Sequence, residues 1–135
     1  MAAEEEISLA ARLDFQPGQI VQEIGYGEDV DQELRDSIAE VTGVDLVDED
    51  HADVVDTVLL WFRDEDGDLT DALVDAQSAL PAGRVIWLLT PKAGRDGYVE
   101  PSDIGEAAQT AGLSPTSRRS AAADWSGSRL LASKR

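Results

Sequence analysis

A chain of 135 residues, 42% apolar and 29% charged, is long enough for one domain that buries roughly two thirds of its unfolded surface and too short for two ordinary ones. The absence of cysteine excludes a disulfide framework and any thiolate metal site. No apolar run approaches the length of a membrane span, and the acidic opening MAAEEEIS lacks the basic residues of a signal peptide, so a cytoplasmic protein is expected.

The net charge of −17 is unevenly laid out. Residues 1–80 carry 23 of the 28 acidic residues but only Arg12, Arg35 and Arg63 among the basic ones, whereas residues 81–135 are mildly basic. Such a dipole steers an oriented protein partner or self-association, or else serves solubility alone. Duplex nucleic acid is disfavoured as a partner, because phosphate binding needs clustered positive charge.

Residues 1–12 read as a flexible acidic arm and 13–135 as a single domain. Phe15-Gln16-Pro17-Gly18 is a turn signal, and Gln19–Ile24 alternates as a first strand that ends at Gly25-Tyr26-Gly27. Asp29 or Asp31 then caps a helix whose apolar stripe is Leu34, Ile38 and Val41 and whose stop is Gly43. Val44–Val47 is a short second-strand candidate, followed by the acidic loop 48–53. Val54–Phe62 is strongly apolar, β-branched and aromatic, and reads as a central strand.

Asp68 caps a helix over 69–80, with Leu69, Ala72, Leu73, Ala76 and Leu80 at helical spacing. The unbroken run Val85–Leu89 is the strand expected at the centre of a parallel sheet. Pro101 opens a third helix carrying Ile104, Ala107, Ala108 and Ala111 and closed by Gly112. Residues 118–123 and 129–132 are weaker strand candidates joined by a hairpin turn at Asp124-Trp125-Ser126-Gly127. Strands alternating with single helices predict a layered α/β domain with a mostly parallel sheet, about three flanking helices and a closing antiparallel hairpin.

Ligands in open α/β sheets collect beyond the carboxyl ends of the strands. The loop after Val85–Leu89 therefore marks Thr90, Lys92 and Arg95, with Gly94 and Gly97, as a candidate site for a small phosphate or carboxylate. The same cations could instead pair with the acidic surface. Asp64, Asp66, Asp68 and Asp75 invite a calcium reading, but counting from Asp64 puts Leu69 and Asp75 where an EF-hand needs glycine and glutamate. His51, the single histidine, lacks the companion nitrogen ligands of a metal site and a nucleophile to activate. Neither a metal nor a cofactor is expected. Trp61 and Trp87 read as core. Trp125 lies beside Arg118, Arg119 and Arg129, and is either an exposed protein-contact residue or a lid folded back on the domain.

The segments QPGQIVQEIG, DVDQELRDSIAEVTG, DTVLLWFRDEDGDLTDALVDA, VIWLLTPKAGRDGYVEPSDIGEAAQTAGL and DWSGSRL resemble an actinobacterial family known as domain of unknown function 3052, across nearly all of residues 13–131. The resemblance implies a cytoplasmic actinobacterial protein and supplies no activity. Glu23-Ile24-Gly25-Tyr26-Gly27 is also similar to the glycine motif after the first strand of S-adenosylmethionine-dependent methyltransferases, and ADVVDTVLLW with DALVDAQSALPAGRVIWLLTP to the second half of that fold. Glu28-Asp29 departs from the motif, and fewer than 40 residues separate Ile20 from Val58, which leaves out a strand-helix unit. The resemblance implies a cut-down Rossmann-like fold. Two functions follow: a non-catalytic binding or regulatory module making protein contacts, or a degenerate methyltransferase-like or nucleotide- or anion-binding domain using Gly25, Gly27 and the Lys92 loop.

Overall fold

A computed structural model describes residues 9–51, 53–78 and 80–132. The elements in chain order are α1 (Leu9–Arg12), β1 (Val21–Ile24), α2 (Gln32–Thr42), β2 (Thr57–Trp61), a 3-10 turn (Asp64–Asp66), α3 (Leu69–Ala76), β3 (Val85–Pro91), α4 (Pro101–Thr110), β4 (Leu113–Ser120) and β5 (Trp125–Ala132). They build one five-stranded sheet in the order β1-β2-β3-β5-β4. β1, β2 and β3 are parallel, and β5 runs antiparallel between β3 and β4.

Strand alternation divides the apolar side chains between two layers. Val58, Leu60, Phe62, Ile86, Leu88 and Leu130 meet Leu73 and Ala76 of α3 and Ile104, Ala107 and Ala108 of α4 on one face. Val21, Leu59, Trp61, Trp87 and Leu89 meet Ala10, Leu13, Leu34 and Ile38 on the other, with Phe15, Ala121 and Trp125. Burial on both faces is why β2 and β3 read as unbroken apolar runs, and both tryptophans expected in the core are there.

The caps follow local chemistry. Asp31 accepts from the Leu34 N–H and Gly43 ends α2 in the left-handed region, while Asp68 accepts from the Asp71 N–H at the start of α3. Asp29, the alternative cap, is used elsewhere.

Four expectations are corrected. Val44–Val47 contributes only a single parallel bridge, Gln22 to Val47, because Val44 is solvent-exposed and the acidic turn at Asp48 stops further pairing. The helix expected over 69–80 ends at Ala76, where Gln77 turns away to donate to the Leu73 and Ala111 carbonyls. The hairpin strands are eight residues each, longer than their composition suggests, since β5 is hydrogen-bonded on both sides. The arm expected over 1–12 is already packed from residue 9: Ala10 is buried, its N–H donates to Ser37 Oγ, and Trp87 Nε1 donates to the Leu13 carbonyl at 2.9 Å. The rest of that arm lies outside the described residues.

One topological fact places the site. From β1 the chain passes through α2 to Val47 on one side of β1, then returns to β2 on the other. The direction of winding therefore reverses at β1, and the crevice beyond the carboxyl ends of β1 and β2 is the switch point where such sheets receive ligands.

Candidate functional site

The switch-point crevice is lined by the turn after β1, the end of β2, the 92–97 loop and the first residue of β5. Gly25 sits there with φ +84°, and a Cβ on it would stand 2.2 Å from the Trp61 carbonyl oxygen, so only glycine lets the turn cross β2. Gly27 makes room for a different neighbour, since its Cβ would lie 3.0 Å from the Arg63 guanidinium.

Arg63 fills the crevice. Its Nη1 donates to the Gly25 carbonyl at 2.7 Å, to the Trp61 carbonyl at 3.4 Å and to Asp66 Oδ2 at 3.3 Å. Its Nε–Nη2 edge grips both carboxylate oxygens of Asp29, Nε to Oδ2 at 3.0 Å and Nη2 to Oδ1. The guanidinium stacks 5.2 Å from the Trp125 ring centre, and Trp125 meets Trp61 edge to face at 4.9 Å. Trp125 Nε1 donates to the Asp29 carbonyl, so the turn is tied down twice. The hydrogen bond and charge of Arg63 hold the Asp29 carboxyl below its ordinary value against the opposing effect of burial, and Asp29 raises Arg63 in return.

A second pair braces β1. Arg35 Nε and Nη2 donate to the buried Glu23 carboxylate at 2.7 and 2.9 Å, and Trp61 Nε1 donates to the same group at 2.9 Å. The bond to Glu23 raises the Arg35 pKa against desolvation. Arg35 also lies over the exposed Tyr26 ring at 4.8 Å.

Open space remains on either side of Arg63. A cavity of about 500 Å³ is lined by Asp29, Glu65, Gly94, Arg95, Asp124 and Trp125 among others. A shallower one of about 330 Å³ lies over Gly25, Tyr26, Glu49 and Phe62. There the Gly25 N–H donates to Glu49 Oε2 at 2.9 Å.

The sequence-predicted ligand residues converge on this end of the sheet, but both cations are engaged. Lys92 Nζ donates to Ser120 Oγ at 2.7 Å, and Arg95 pairs with Asp124 at 3.2 Å. Thr90 is fully buried within β3, and its hydroxyl has no hydrogen-bond partner. Of the two readings left open for Trp125, the structure takes the lid: it is 3% exposed. The three arginines beside it do not form one patch. Arg119 reaches the Arg12 carbonyl and Arg129 reaches Thr116, whereas alternation along β4 sends Arg118 to the opposite face. Arg63, Asp29 and the Glu23–Arg35 pair escaped the sequence reading. The available signal was a lone cation at the end of an apolar strand in the acidic part of the chain. Among the described residues no group of three or more His, Asp or Glu is placed to hold a metal ion, and no helix is long and apolar enough to cross a membrane.

A mixed sheet with its switch point at β1, helices on both faces and a glycine turn after the first strand defines a Rossmann-like α/β domain. The pyocyanin biosynthetic protein PhzM superposes with a TM-score of 0.64 at 14% identity over 93% of this chain, which spans about half (53%) of PhzM's length. A SAM-dependent methyltransferase from Aquifex aeolicus gives 0.56 at 14% identity, covering 91% of this chain and 88% of that one. Identities this low speak for the fold. The chain belongs to the family described as protein of unknown function (DUF3052), whose pattern spans residues 10–134. The uncharacterized protein Rv2239c of Mycobacterium tuberculosis is 48% identical over 134 residues, 99% of this chain and 84% of that protein.

Proposed function

We propose that this chain is a cytoplasmic, non-catalytic binding or regulatory module that uses the methyltransferase fold as a scaffold for protein contacts. The observation that carries the reading is the occupied switch point. The glycines of the β1 turn, which by resemblance would admit a cofactor, approach the Trp61 carbonyl and the Arg63 guanidinium of the chain itself. Charge asymmetry supplies the contact surface: Arg118 and Arg119 are both exposed, one on each face of the edge strand β4, in an otherwise acidic protein.

The second reading, a nucleotide or small anion held by Thr90, Lys92, Arg95, Gly25 and Gly27, is favoured by the cavity beside the 92–97 loop. One thermal-shift series separates the two. A ligand at 100 times its dissociation constant adds about 2.7 kcal/mol of stability, a rise of several degrees for a domain of this size. S-adenosylmethionine, S-adenosylhomocysteine and nucleotides are expected to leave the midpoint unchanged. A rise that Lys92→Ala with Arg95→Ala erases would establish the second reading instead.

A further inference from the structure

We propose that the Nε–Nη2 edge of Arg63 is a receptor for a small carboxylate, occupied in this structure by the chain's own Asp29, and that its ligand is a zwitterion of the amino-acid type. The inference goes beyond the protein-contact reading and does not depend on it.

Three observations separate Asp29 from an ordinary structural partner. First, the guanidinium is divided in use. Nη1 alone makes the contacts that anchor Arg63 to the sheet ends, to the Gly25 and Trp61 carbonyls and to Asp66, whereas the whole Nε–Nη2 edge is given to one carboxylate. That edge is a planar two-donor fork, the shape that recognises a carboxylate. Replacing Asp29 by another carboxylate leaves every anchoring contact in place.

Second, burial is unequal. The Arg63 side chain is 10% exposed and the Asp29 side chain 56%, so the carboxylate that caps the fork is itself largely in solvent. Asp29 lies outside helix and strand, in the turn that follows Gly25 and Gly27, so its side chain can turn away from the fork while its carbonyl keeps the bond from Trp125 Nε1.

Third, Asp29 stands in the wall of the roughly 500 Å³ cavity, so its departure opens the fork onto a space already present. The remaining wall selects the ligand. Glu65, Asp96 and Asp124 face the cavity against Arg95, which is paired with Asp124. A phosphate dianion meets three carboxylates there, whereas an ammonium group a few bonds from the ligand's carboxylate is welcomed by them. Trp125, stacked on Arg63, forms the apolar side of the seat.

The test follows the indole N–H of Trp125 and the Nε–H of Arg63 by NMR in the full chain. Wild type, Asp29→Ala and Asp29→Ala with Arg63→Lys are titrated with glycine, acetate, methylammonium and inorganic phosphate. Glycine is expected to bind Asp29→Ala saturably at millimolar concentration, acetate more weakly, and methylammonium not at all. Wild type should bind glycine at least about tenfold more weakly, since Asp29 competes for the fork. Arg63→Lys, which keeps the charge and loses the fork, should remove the response. The proposal is overturned by no saturable response in Asp29→Ala, by equal affinity in wild type, by survival of binding in the Arg63→Lys variant, or by phosphate outcompeting glycine. If Asp29→Ala does not fold, Asp29→Asn keeps the side-chain volume without the charge, and the same ordering against wild type decides the matter.

Discussion

At Arg63, a nearly buried guanidinium draws its neutralising charge from a carboxylate that remains in solvent, and the pairing makes this one contact pH-dependent. Asp29 is held below its ordinary value of 3.8 in the folded chain, so in acid the unfolded chain binds more protons than the folded one. The contribution of the pair is complete above the ordinary carboxyl value and is lost as pH falls through the lowered folded-state value. Thermal midpoints followed from about pH 5 to about pH 2 should therefore fall more steeply in wild type than in Asp29→Asn, which has no such proton to take up. Equal slopes would mean that the pair contributes nothing to folding. The residue scale is also where the sequence was least legible. Lys92 and Arg95 stood out because they follow a strand, but both are engaged by Ser120 and Asp124. Arg63 does not stand out in the sequence because the partners that place it in the crevice, Asp29 and Gly25, lie 34 and 38 residues away along the chain, and no local pattern couples them to it.

The elements divide by how their stability arises. β3 is determined by its own composition and buried on both faces, and Leu88 within it is completely enclosed between α3 and α4. Leu88→Ala should lower unfolding free energy by about 2–5 kcal/mol in urea titration, the usual result of emptying a sealed core position. β4 is the opposite case. Its sequence LSPTSRRS is poor in strand formers and mostly exposed, and it is extended because β5 pairs with it. Ser114→Ala on its exposed side should change stability by no more than about 0.5 kcal/mol. A large loss there, or a small one at Leu88, would reverse this division. The same distinction explains the expectations that failed. Val44–Val47 had strand composition but no neighbour beyond Val47 to pair with, and the tail of the 69–80 helix had helical spacing but gave its last turn to a contact with the Ala111 carbonyl.

For the whole molecule, the boundary of the domain lies earlier than residue 13. α1 and the residues after it cover the face of the sheet that carries Trp87, and the Trp87 indole finds its acceptor in the Leu13 carbonyl. A chain beginning at Asp14 should melt about 10 °C lower, having lost the buried Ala10 and Leu13. Hydrogen exchange at the Trp87 indole should accelerate with it. An unchanged midpoint would return residues 9–13 to the status of an arm.

Amphipathic periodicity, capping residues and apolar strand runs, all local in the chain, were enough by themselves to determine a layered α/β domain with its central strands, its three main helices and a closing hairpin. They also identified the end of the sheet on which glycines and cations gather. Only the tertiary structure decided what that end does. Whether Gly25 and Gly27 open onto a ligand or onto Arg63, whether Trp125 faces solvent or closes the crevice, and which carboxylate each arginine takes all depend on contacts between segments remote in sequence. Such contacts are set by packing and charge pairing after the sheet has formed, and no periodicity in the chain records them.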